Sequence, residues 1–345
     1  MRKPDFDNIR RILDRSVPKR PTLFEFFLNN ELYEKLANEA MPKENYAQNN
    51  SSEVEARNRC LTKAFHNAGY DYVTIHPPPH LYFRSNVHDA KETISLNDYN
   101  SISDRESFNN YPWPDPDKCD YSIYERLTSY LPEGMKAIVC GPGGVLENVI
   151  ALIGYDNMCI MTVSDPELLE DIFERVGSVL VRHYEISSPF DSVGALISND
   201  DWGFNTQTML SPADFEKYLF PWHRKIAAAC HKAGKPVILH SCGYLEEVMD
   251  VIIDDIGYDG KHSYEDKIMP IEEAYEKYHS RIALLGGIDL DFVCRHSPEE
   301  VHERSRKMLE RAAERGSYAL GTGNSVPAYT PDENYFAMTR AALEE

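Results

Sequence analysis

His240 and Cys242 stand two residues apart where the apolar run of "VILHSCG" (237–243) stops. In an extended chain, side chains two apart share a face, so both could reach one ion. Imidazole nitrogen and thiolate bind zinc at about 2.0 and 2.3 Å, and a catalytic zinc needs a third protein ligand plus an open position. The pair reads equally well as a capping histidine beside a buried thiol. Gly243 would let the chain turn immediately afterwards.

Further polar residues follow other apolar runs. "SNDDWGFNTQTMLSP" carries Asp200 and Asp201 next to Trp202 and Phe204. A carboxyl desolvated beside an aromatic ring gains a pKa useful for proton transfer. Both aspartates are catalytic candidates; one is expected to act and the other to cap a turn or helix, with neither preferred. Trp202 and Phe204, with parts of residues 81–113, are expected to face a substrate. "KHSYED" (261–266) brings His262 as an acid and Glu265, or Asp266, as a further metal ligand. "GTGNSVPAYTPDEN" holds Asn324 in a Gly-rich turn before a Thr-Pro helix start, a substrate-binding candidate. It matches neither nucleotide-binding glycine pattern, and "CGPGG" (140–144) reads as a tight turn or an anion site.

The elements that must position these residues alternate. Apolar runs at 71–75, 136–140, 192–197, 236–240, 258–262, 281–288 and 317–323 are separated by amphipathic helices such as "SPEEVHERSRKMLERAAERG". Such alternation implies parallel strands with right-handed crossovers. Polar or glycine-rich clusters end nearly every run, and only a closed barrel gathers all strand C-termini at one mouth. The expected fold class is therefore α/β, a single (β/α)8 TIM barrel over 71–345, with an N-terminal helical extension over 1–70 packed on it. The eighth strand is expected in "LYFRSN" (81–86) or near the N-terminus, and the irregular residues 81–119 read as a functional loop or lid.

The chain of 345 residues has a formal net charge of -20, the wrong sign for a general nucleic-acid binder. Seven cysteines, an odd number without regular spacing, suggest a reducing compartment. No apolar run is long enough for a membrane span, and the first residues lack a signal-peptide core, so no membrane association and a cytoplasmic location are expected.

From about Tyr72 onward, "SNDDWGFNTQTMLSP", "HKAGKPVILHSCG", "GGIDLD" and "GTGNSVPAYTPDENYFAM" resemble, in order, the uroporphyrinogen decarboxylase superfamily, which includes cobalamin-dependent methyltransferases. The decarboxylases carry an Arg-rich N-terminal segment that holds porphyrinogen carboxylates; "KRPTLFEFFLNN" lacks it. The methyltransferase branch looks closer, because its His-x-Cys zinc ligands match His240 and Cys242. That branch usually adds a second cysteine, followed three residues on by proline, where this chain has Asn324 of "NSVP". Asparagine is a poor zinc ligand beside thiolate.

The resemblance implies transfer of a methyl group from a small donor, an aryl methyl ether being favoured, to Co(I) cobalamin on a partner corrinoid protein. It implies zinc on His240, Cys242 and Glu265, with His262 or Asp201 as the acid if no metal takes part, and two copies able to pair as a homodimer. The alternatives are a decarboxylase-like lyase acting on another carboxylated substrate, and a barrel that binds a ligand or corrinoid protein without turnover.

Overall fold

All seven apolar runs form strands in the computed structural model, which describes residues 2–42, 51–84, 96–97 and 101–344. They are β1 (Tyr72–Ile75), β2 (Lys136–Cys140), β3 (Val193–Asn199), β4 (Val237–His240), β5 (Gly260–His262), β6 (Ala283–Leu285) and β7 (Tyr318–Ala319). They pair in chain order, every neighbour parallel, in one curled, TIM-barrel-like sheet. Nearly every strand residue is buried, as expected for a parallel sheet covered by helices on one face and filled by side chains on the other.

The helices start where the sequence signals them. Pro298–Ala312 opens with a capping box in which Ser297 and Glu300 satisfy each other's backbone N–H, and proline occupies the first turn. The stretch before β4 is helical as Pro212–Asp214, Phe215–Leu219 and Phe220–Lys232. Its middle turn is wide, with the Phe220 N–H reaching back five residues to Phe215, next to Pro221, which has no N–H to donate. "YLEEVMDVIIDDIG" is helical without a break from residue 246 to 256, as a tight turn at Glu246–Val248 that runs through Met249 and Asp250 into a wide turn at Val251–Ile256.

The N-terminal region is only partly the helical extension that the sequence predicts. Helices Asp7–Leu13, Asn30–Ala37 and Ser51–Asn67 are present, but residues 22–28 run extended between the two ends of the sheet. Leu23 and Leu28 bridge in parallel to Leu320 and Val326 beyond β7. On the other side, the Tyr72 hydroxyl of β1 donates to the Glu25 carbonyl at 2.6 Å and accepts from the Glu25 N–H at 2.7 Å. A Cβ at Gly321 would lie 1.7 Å from the Phe24 carbonyl oxygen, so only glycine admits this segment. The eighth place in the wall is thus filled from the N-terminal side and not by "LYFRSN", whose described residues 81–84 form no strand. Within the expected lid over 81–119, residues 85–95 and 98–100 lie outside the described residues; the rest includes the helix Arg105–Asn110.

Glu25 is fully buried and accepts hydrogen bonds from the Thr322 N–H at 2.7 Å and hydroxyl at 2.6 Å. Burial outweighs these bonds and pushes its pKa up to about 8 from 4.5. Between those values the native state holds a proton that the unfolded chain has lost. Its contribution to stability is therefore complete below about pH 4.5 and declines as pH rises to about 8. Glu25→Gln should flatten this decline, as read from urea midpoints at intervals from pH 5 to 8.

Candidate metal centre

The ends of β3 and β4 meet at the C-terminal rim, or mouth, of the curled sheet. A Cβ on Gly243, whose φ is +89°, would fall 2.1 Å from the Gly203 carbonyl oxygen, so the two loops touch backbone to backbone. The Tyr244 N–H donates to the Phe204 carbonyl at 2.7 Å, and the Cys242 N–H donates to Asp201 Oδ1 at 2.8 Å. This clamp brings Asp201, His240 and Cys242 together, with one ligand atom from each lying within 4.8 Å of the others. His240 Nε2 is 3.9 Å from Cys242 Sγ and 4.0 Å from Asp201 Oδ1.

A second layer sets the chemistry of this cluster. His240 on β4 lies beside His262 on β5 in the strand register, and their Nδ1 atoms are 2.7 Å apart. His262 Nε2 faces the Thr322 carbonyl oxygen at 3.4 Å. A carbonyl only accepts, so His262 carries its proton on Nε2 and its Nδ1 accepts from His240 Nδ1–H. Burial holds the His240 pKa well below the ordinary value and pushes that of His262 down to about 3, keeping both rings neutral. His240 therefore presents a bare Nε2 lone pair to Cys242 and Asp201. A metal-binding imidazole needs that tautomer, fixed by an outer hydrogen bond.

Cys242 Sγ accepts from Asn324 Nδ2 at 3.2 Å and from Ser263 Oγ at 3.5 Å. Burial, then the nearby Asp201 carboxylate, pushes its pKa up to about 12, so without a cation the group is a thiol. Burial also raises the pKa of Asp201. A buried acidic pair beside a bare imidazole nitrogen is a donor set that a divalent cation would ionise and balance. A tetrahedral zinc separates its nitrogen and sulfur ligands by about 3.6 Å, so the observed spacing needs only a small contraction. His262→Phe, which removes no ligand atom, should weaken zinc binding by about 10- to 100-fold, as measured by competition with a chromophoric chelator.

The structure separates the two aspartates. Asp200 points away from the mouth, fully buried, and accepts from Leu146 N–H, Glu147 N–H and His223 Nε2 at 2.9 to 3.0 Å. Both of its oxygens are engaged behind the mouth, at the N-terminus of the helix Val145–Ile153 and by His223. Asp201 is the member at the site. His262, predicted as an acid, is completely buried behind His240 and serves as its support.

Trp202, predicted to face substrate, is also fully buried, packed on Phe215, Phe220 and His223. Phe204 is half-buried against Tyr155. Asn324 reaches the centre, but through a hydrogen bond to sulfur. Glu265, predicted as a ligand, falls outside the three-residue cluster, whose third position Asp201 takes. Asp266 is held by Arg304 at 2.7 and 2.8 Å.

Several neighbours had no signal in the sequence. Phe26, from the eighth wall segment, sets its ring 4.7 Å from that of His240, and Phe27 stacks on His76. Glu147 has its pKa raised well above the ordinary value by burial, with Asp200 and Asp201 adding to the effect. Only tertiary contact brings these residues to the mouth, so no local spacing could have marked them.

The model of the family described as "Uroporphyrinogen decarboxylase (URO-D)" matches residues 100–344. The chain is 25% identical over 192 residues to a uroporphyrinogen decarboxylase of Anaeromyxobacter dehalogenans, covering 54% of this chain and 51% of that protein. It is 24% identical over 203 residues to a chloroplastic uroporphyrinogen decarboxylase 2 of Oryza sativa subsp. japonica, covering 57% and 47%. The match thus spans about half the length of these relatives. Among solved structures, a methyltransferase from Methanosarcina mazei superposes with a TM-score of 0.72 at 15% identity, covering 98% of this chain and 97% of that one, which shows a shared fold. With the family model matching well over half of its residues, the chain belongs to the uroporphyrinogen decarboxylase (URO-D) family.

Proposed function

We propose that this protein is a corrinoid-dependent methyltransferase component, built as a single (β/α)8 barrel, that takes a methyl group from a small donor and passes it to Co(I) of a separate corrinoid protein. An aryl methyl ether is the favoured donor and the cytoplasm the favoured location. The observation that carries the reading is the Asp201, His240 and Cys242 cluster with its tautomer-fixing second layer. The fold shared with the M. mazei methyltransferase supports it. Among the described residues no helix is long and apolar enough to cross a membrane.

Zinc held by Asp201, His240 and Cys242 would supply Lewis acidity toward the donor's heteroatom. The chain's own residues do the rest. Cleaving an aryl methyl ether leaves a phenolate, which needs a proton or a positive partner. Glu147 and Glu265, whose pKa values burial raises, can hold a proton beside Asp201. Phe26 and Phe27 keep water from one side of His240. His262, Thr322 and Asn324 hold the imidazole and the sulfur in place without touching the donor.

The curated relatives favour a second reading, a decarboxylase-like lyase. Against a tetrapyrrole substrate stands the placement of the two cations in "KRPTLFEFFLNN". Lys19 pairs with Asp5 and Asp7, and Arg20 with Asp71, which precedes β1 at the end of the barrel opposite the mouth. A panel of methoxyarenes and methylamines, incubated with zinc-loaded protein and a reduced corrinoid protein, decides between the readings. Loss of the Co(I) spectrum with at least one donor supports methyl transfer. Unchanged cobalt with every donor, together with carbon dioxide release from a carboxylated substrate, would establish the lyase.

A further inference from the structure

Lys261 is a buried cation that the metal centre does not use. It precedes His262 on β5, so its side chain leaves the opposite face of the strand from the imidazole. It is 4% exposed, and its Nζ donates to the Ser263 carbonyl at 2.8 Å, with the Ser241 carbonyl at 3.5 Å. It also lies 4.4 Å from the centre of the Tyr264 ring. No described carboxylate comes within ion-pair distance; Cys242, Asp201 and Glu265 act on it only from farther away. A buried ammonium with neutral partners alone is costly, and an anion brought to it recovers much of that cost.

The space beside Lys261 suits such an anion. A cleft between the loops after β4 and β5 and the helix Ile271–Tyr278 is lined by Lys261, Tyr244, Leu245, Met249, Met269 and Tyr278. Tyr264 lines it as well, and its buried hydroxyl has no hydrogen-bond partner among the described residues. Two acids share the lining. Glu246 is engaged by Lys277 and by the Tyr278 hydroxyl, and burial raises the pKa of Glu265. Lys261 has only neutral partners and the Tyr264 hydroxyl none among the described residues, in a wall that is aromatic and aliphatic apart from Ser263 and the two acids. Small-molecule sites have this make-up, apolar walls with a few convergent polar groups.

We infer that this cleft binds a small monocarboxylate with an apolar or aromatic body, its carboxylate taken by Lys261 and Tyr264 and its body by the tyrosine and methionine walls. The cleft adjoins the metal centre through Ser263, which lines it and donates to Cys242 Sγ. The binding stands on Lys261, Tyr264 and the cleft alone, whatever reaction the metal centre performs.

The test is calorimetric titration of the full-length protein with benzoate, benzamide and phenyltrimethylammonium. Benzoate should bind at least about tenfold more tightly than benzamide, and Lys261→Met should abolish that preference while leaving benzamide binding unchanged. If Lys261→Met fails to fold, the comparison of benzoate with benzamide on the wild-type protein still decides. Equal affinity for the two, preference for the cation, or no benzoate binding up to about 10 mM, a limit weaker than ordinary small-ligand sites, would overturn the inference. Benzoate selectivity in a protein that leaves the Co(I) spectrum unchanged would retain the site and reject the methyltransferase reading. Methyl transfer without benzoate selectivity would do the reverse.

Discussion

Cys242→Ala and His240→Ala should each lower zinc affinity by more than about 100-fold, beyond the range typical of second-layer changes, and bring bound zinc to background after dialysis. Each substitution removes a ligand atom from a cluster that, among the described residues, offers three within reach of one another. Cys242→Ala deletes the sulfur that Asn324 and Ser263 support, and His240→Ala deletes the bare nitrogen that His262 and Thr322 prepare. Both variants should stay folded, because removing a buried neutral imidazole or thiol leaves few polar partners unsatisfied. Cys294→Ala, at a half-buried cysteine outside the cluster, is the control and should retain full zinc. Elemental analysis of the dialysed proteins reads the outcome. Full zinc in Cys242→Ala would mean that the metal sits elsewhere.

Asp200→Ala should destabilise the fold by about 3 to 5 kcal/mol, the range for removing one member of a buried charged or hydrogen-bonded pair. Three donors, the Leu146 and Glu147 amides and His223 Nε2, would be left buried without an acceptor. A Cβ on Gly144 would lie 2.1 Å from the Asp200 carboxyl, so the loop after β2 is already pressed against this side chain and has little room to rearrange. Asp201→Ala should behave oppositely, with little change in the urea midpoint and loss of zinc. Equal stability of the two variants would contradict the division of labour between them.

The curled parallel sheet was readable because its evidence is local and repeated. Seven short runs, mostly β-branched or apolar and each ending in polar or glycine residues, became seven parallel strands in chain order. The eighth wall segment was hidden because "TLFEFFL" lacks a strand's alternation and makes isolated bridges rather than a continuous ladder. His240 and Cys242 were legible for the same local reason, two positions apart at a strand end. Asp200 and Asp201 could not be told apart, since successive residues leave a strand on opposite sides and only the fold says which side is the mouth. Glu265 lies outside the cluster of His240 and Cys242 because proximity in "KHSYED" is proximity along the chain, whereas Asp201 reaches that cluster through the contact of Gly203 with Gly243. The support given by His262, Thr322 and Asn324 links three strand ends, and no single window of sequence contains it.

X-ray absorption at the zinc edge of the loaded protein tests the central claim most directly. One sulfur scatterer is expected at about 2.3 Å, with a shell of nitrogen and oxygen at about 2.0 to 2.2 Å that includes a single imidazole. Two or more sulfur scatterers, or none, would contradict a centre built from Asp201, His240 and Cys242.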